Sequence, residues 1–92
     1  MLIADLYIGS NNKTKVLELD IIRSQVDNQF SGSSIIGVEG RWKHQVEQSC
    51  IVRLLEDGSD FEAKVLKLRN QLVSALEQES IPVVWTNAEI SW

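Results

Sequence analysis

The chain has 92 residues, 43% of them hydrophobic, enough for one packed domain and too few for two with separate cores. Thirteen Asp and Glu against nine Lys and Arg leave a net charge of −4, opposite in sign to the footprint of a phosphate-backbone binder, so nucleic acid is not an expected partner. One cysteine and one histidine exclude an internal disulfide and a multi-cysteine or multi-histidine metal site within a subunit. No membrane-length apolar run or signal-peptide layout appears, so the expectation is a single cytoplasmic domain over residues 1–92 with no metal or cofactor.

Leu2, Ala4, Leu6 and Ile8 alternate with Ile3, Asp5 and Tyr7, which is the period of a strand, and the first set is expected to meet the core. Gly9-Ser10-Asn11-Asn12 breaks that pattern. From about Thr14 the apolar positions Leu19, Ile22, Val26 and Phe30 recur every three or four residues and predict a helix, closed by Ser31-Gly32-Ser33-Ser34 with Gly32 as a left-handed cap. Ile35 to Lys43 and Val46 to Leu55 are rich in β-branched and aromatic residues and predict an antiparallel hairpin that turns near His44 and Gln45. Glu56-Asp57-Gly58 turns the chain, and Ser59 with Glu62 has the spacing of a capping box. Phe61, Val65, Leu68, Leu72 and Leu76 mark a second helix ending near Glu79 and Ser80, and Pro82 opens a last strand from Val83 to Trp92.

Strand, helix, hairpin, helix, strand with right-handed crossovers predicts a ferredoxin-like α+β sandwich, βαββαβ. Its four antiparallel strands, ordered fourth, first, third, second, carry two helices on one face. A dimer that swaps the last strand uses the same elements.

Two surfaces then stand out. Alternation assigns Ile3, Tyr7, Ile51, Arg53, Leu55, Val83 and Trp85 to the face away from the helices, an apolar set whose frequent use is a homodimer interface. A register shifted by one residue in any strand would return its side chains to the core. The loop Gly9 to Lys15 joins a strand to a predicted helix start, where free amides favour an anion. Asn11, Asn12, Lys13, Thr14 and Lys15 are its candidate ligands, with Trp42 as a stacking partner, and a polar turn with solvated lysines is the plainer alternative. The loop lacks the second glycine of a P-loop, so nucleotide hydrolysis is rejected. His44 and Cys50 have no spacing that assures a catalytic pair, and Asp57, Asp60 and Glu62 are explained by capping rather than by calcium.

Leu6-Tyr7-Ile8-Gly9, Gly40-Arg41-Trp42-Lys43 and Ser49-Cys50-Ile51-Val52 together resemble a family of small uncharacterised bacterial βαββαβ proteins with a Leu-Tyr-aromatic-Gly strand and a Gly-x-Trp hairpin. Ile8 departs from the family's aromatic residue. The resemblance implies a shared architecture and no chemistry. Three functions are therefore carried forward. The first is a non-enzymatic module that self-associates and binds a protein partner. The second is a homo-oligomeric binder of a small anionic, possibly nucleotide-like, ligand at the Gly9 to Lys15 loop. The third is an enzyme of the dimeric α+β-barrel kind, which requires a pocket beside His44, Tyr7 or Glu39 with His44 as the most obvious base, and no catalytic residue is assigned.

Overall fold

Alternation in the first strand decides the layering, because one parity of its side chains must be covered. The computed structural model describes residues 1–92. Its elements are β1 (Leu2–Ile8), α1 (Leu19–Asp27), β2 (Ser34–Trp42), β3 (Gln45–Leu55), α2 (Phe61–Ala75) and β4 (Val83–Asn87). The four antiparallel strands form one sheet in the order β2-β3-β1-β4, the arrangement anticipated from the element order. Ala4, Leu6 and Ile8 of β1 join Cys50, Val52 and Leu54 of β3 beneath Ile22 and Val26 of α1 and Val65, Leu68 and Leu72 of α2. These side chains have almost no contact with water, and their burial supplies the main driving force of folding.

Several local expectations are corrected. The first helix begins at Leu19, not Thr14, because Asn11 closes a turn of its own. Asn11 Oδ1 accepts from the amides of Lys13 and Thr14 at 2.8 and 3.1 Å, and Lys15 adopts φ 62°, which no α-helix can accommodate. Gly32 is not a left-handed cap. The helix ends instead with Asn28 in the right-handed region, its amide bonded to the Ser24 carbonyl at 3.2 Å. The capping box of Ser59 and Glu62 does not form either. Asp60 occupies the N-cap without a side-chain bond, and the nearby ion pair joins Lys64 to Glu56 at 2.6 Å. The second helix stops at Ala75 through a Schellman motif, in which the Gln78 and Glu77 amides bond the carbonyls of Val73 and Ser74 at 3.0 and 3.3 Å. Glu77 takes the left-handed position, φ 53°, that glycine usually fills.

The largest correction concerns β4. Val83 pairs with Leu6 and Trp85 with Ala4, so both share the covered parity of β1. Trp85 packs edge-on against Phe61 at a centroid distance of 6.3 Å, and Phe61 against Phe30 at 6.2 Å. Val83 and Trp85 therefore belong to the core rim, and Val84 and Thr86 face the open side. The strand also stops at Asn87, short of the expected Trp92. No helix is long and apolar enough to cross a membrane.

Candidate functional site

β3 is longer than β1, and that mismatch builds the site. Pairing between them ends at Ile8 and Cys50, whereas β2 and β3 continue to Trp42 and Gln45. The far part of the hairpin thus stands beyond the sheet as an arm. A two-residue turn, Lys43 and His44 with φ 49° and 64°, closes it. Positive φ at both positions is the twist that matches two right-handed strands.

The chain leaving β1 runs against the base of this arm. Ser10 donates from its amide to Glu47 Oε1 at 2.9 Å and from its hydroxyl to the Gln48 carbonyl at 2.7 Å. A Cβ on Gly9 would lie 2.7 Å from the same Glu47 oxygen, and one on Gly40 would collide with the Ser49 hydroxyl. At Gly40 the Glu47 backbone oxygen is also 3.1 Å away, so a side chain there is excluded, whereas one at Gly9 would displace the Glu47 carboxylate from its place. Glu47 Oε2 takes no protein hydrogen bond.

Around this junction lies a cleft of about 920 Å³, bounded by Tyr7 and Gly9 of the β1 end, Val38 to Trp42, Glu47 and Ser49 of the arm, Cys50 and Ile51 at its base, and Gln78 to Ser80 with Pro82. A second hollow of about 520 Å³ shares Asn12, Lys15, Trp42 and Glu47 with it. Of the ligand residues named from sequence, the fold brings Asn12, Lys15 and Trp42 together along these hollows, and Asn11 lines the smaller one. Lys13 and Thr14 line neither. Lys13 pairs with Glu77 at 3.0 Å, and Thr14 Oγ1 accepts from the Val16 amide at 3.3 Å. Asn11 is itself buried and committed, its Nδ2 donating to Glu18 Oε2 at 3.1 Å and to the Leu76 carbonyl at 3.2 Å. The lysine charge is thus met within the chain at Lys13. The Lys13 hydrogen bond and charge hold the Glu77 carboxyl below its ordinary value.

On the open face, Tyr7 is exposed and Ile3, Ile51 and Leu55 are half-buried. Ile36 and Val84 join them. Arg53 crosses the face to Asp5 in a bidentate pair, Nε to Oδ1 at 2.9 Å and Nη2 to Oδ2 at 3.0 Å, which leaves Asp5 buried. The bonds and charge of Asp5 hold the Arg53 guanidinium more firmly protonated than usual.

His44 is exposed at the turn and lines neither hollow. Cys50 is buried, and desolvation pushes its thiol above the ordinary value, so it is held as an unreactive thiol. No three His, Cys, Asp or Glu side chains gather in a way that could hold a metal ion. Sequence reasoning missed Glu47, which carries no local signal; its position depends on a contact with Ser10, 37 residues away in the chain.

No protein-family model matches the chain, and no curated protein matches it. Among solved structures it resembles a phage SAM lyase in complex with S-methyl-5′-thioadenosine, with a TM-score of 0.72 and 18% identity over 92% of this chain and 79% of that one. The apo state of a phage SAM lyase gives 0.73 and 20% over 92% and 78%. The de novo designed protein Foldit4 gives 0.62 and 15% over 96% and 98%. The fold is ferredoxin-like. At these identities the likeness extends to the fold alone.

Proposed function

We propose that the cleft between the β1 end and the hairpin arm binds a small nucleoside-type molecule, of the class the phage SAM lyase holds as S-methyl-5′-thioadenosine. The observation that carries this reading is Glu47, fixed by the Ser10 amide at the cleft wall with its second oxygen unpartnered, on a wall shared with Trp42. A carboxylate oriented by one backbone bond accepts hydroxyl or amino donors, and an indole offers a flat face to a purine. A cleft of this size takes a small molecule of that kind.

Charge separates a nucleoside from a nucleotide. The cleft carries two cations, Lys15 and Arg41, against three carboxylates, Glu39, Glu47 and Glu79, and Glu39 already holds Arg41 at 3.2 Å. That balance disfavours a phosphate, so the anionic ligand expected from the sequence gives way to a neutral or cationic one.

Thermal denaturation with S-methyl-5′-thioadenosine, and separately with SAM, tests the reading. Binding raises the Tm in step with ligand concentration. Trp42→Ala is expected to weaken binding about tenfold or more, the usual scale for losing a base-stacking ring. Glu47→Gln is expected to weaken it less and to leave the unliganded Tm nearly unchanged. Absence of any shift at millimolar concentrations of both molecules sinks the proposal, and cleavage of SAM in the same samples would mark the chain as an enzyme.

A further inference from the structure

β2 is an edge strand with nothing but β3 beside it. Natural edges are usually protected by lysine, proline, a bulge or a covering element, because unpaired amides and carbonyls recruit other strands. The nine residues Ser34-Ile-Ile-Gly-Val-Glu-Gly-Arg-Trp42 contain neither lysine nor proline. Their only charges are Glu39 and Arg41, each about 60% exposed.

The turn fixes which peptide groups face outward. Trp42 and Gln45 flank a two-residue loop and bond each other, so the peptide groups of Arg41, Glu39, Gly37 and Ile35 point away from β3. Antiparallel pairing with the β2 of a second copy must therefore bond odd residues to odd residues. Centring the two-fold on Glu39 sets Glu39 against Glu39, and centring it on Arg41 sets Arg41 against Arg41. Centring it on Val38 sets Glu39 against Gly37 and Arg41 against Ile35, with no opposite charges across the seam. Only a two-fold at Gly40 sets each Glu39 against the Arg41 of the other copy, twice. That same register sets Trp42, which is 70% exposed, across from Val38 on the open face. Between the two indoles lie the paired Gly40 residues, which have no side chains to obstruct them. The centre is close to the turn, so the two cores lie at opposite ends of the joined strands.

We infer that β2 is a self-complementary edge through which two copies of this chain pair antiparallel about Gly40, held by reciprocal Glu39 to Arg41 contacts. The partner is a second copy because, of the registers the turn allows, only the one about Gly40 sets opposite charges across the seam, where Glu39 and Arg41, bonded to each other at 3.2 Å within one chain, each gain a second partner.

The test is charge exchange. Sedimentation or light scattering of the wild type at several hundred micromolar is expected to give twice the monomer mass of 10.4 kDa. Glu39→Arg alone and Arg41→Glu alone place like charges opposite one another and are expected to weaken association at least tenfold. Both sites are exposed, so circular dichroism should show unchanged folding. An equimolar mixture of the two variants is expected to regain the dimer mass, since one chain then carries two arginines and the other two glutamates. A wild type that stays at 10.4 kDa or forms another multiple, single variants that associate as well as the wild type, or a mixture no heavier than its components would each overturn the inference. The readout is mass, so it stands or falls separately from ligand binding in the cleft.

Discussion

Along β3 the chain passes from one physical regime to another. From Cys50 to Arg53 it is paired on both sides, and Cys50, Val52 and Leu54 are buried under the helices. From Gln45 to Ser49 only β2 accompanies it, no side chain is fully buried, and Val46 is 61% exposed. The same backbone geometry is thus maintained by core burial in one half and by a turn and cross-strand contacts in the other. Stability is concentrated where both faces of the argument, pairing and burial, coincide, and the arm is left with surface available for recognition.

Paired truncations are the bluntest way to break this contrast. Leu54→Ala removes a fully buried side chain and is expected to cost about 2 to 5 kcal/mol. Val46→Ala, eight residues earlier and of the opposite regime, is expected to stay within about 0.5 kcal/mol of the wild type. Urea denaturation reads both. Comparable costs at the two sites would show that the arm is packed against something in solution.

A finer test acts on the turn. Lys43 and His44 both hold positive φ, a region in which side chains other than those of Asn, Asp and Gly are disfavoured. Replacing them together, Lys43→Asn with His44→Gly, supplies the residues this turn favours and is expected to stabilise the arm by about 1 kcal/mol. If the arm opens independently of the core, hydrogen exchange of its amides slows roughly fivefold while the urea midpoint barely moves. A midpoint shift of the full amount would instead make arm and core one cooperative unit.

The contrast also explains what could be read in advance. β1 was legible because its one charge, Asp5, and the polar tip of Tyr7 fall on one parity while Leu2, Ala4, Leu6 and Ile8 fill the other, and with it the layering and strand order. β4 was not, since Val83, Val84 and Trp85 are apolar at both parities, and a period-two pattern cannot then choose the covered face. Pairing of Val83 with Leu6 decides it in space. The start of α1 was misplaced because helical spacing of Leu19, Ile22 and Val26 says nothing about where the preceding Asn11 turn releases the chain. For the cleft, Trp42 and Lys15 were visible as residue types, and Glu47 was not, because its role arises from a strand-length mismatch that brings distant segments together.

The smallest expected effect concerns the loop that first suggested an anion. Lys13 and Glu77 are both well exposed, so their pair contributes little and is screened by salt. Its direction is still informative. The folded Glu77 carboxyl titrates below its ordinary value of 4.5, so the unfolded chain takes up a proton first as pH falls. The stabilisation is therefore complete above about 4.5 and is lost as pH drops through the lower, folded value. Lys13→Ala is expected to lower the urea midpoint slightly at pH 7 and not at pH 3, with the difference at pH 7 shrinking in 0.5 M salt. A variant indistinguishable from the wild type at pH 7 would show that the exposed pair adds nothing to stability in solution.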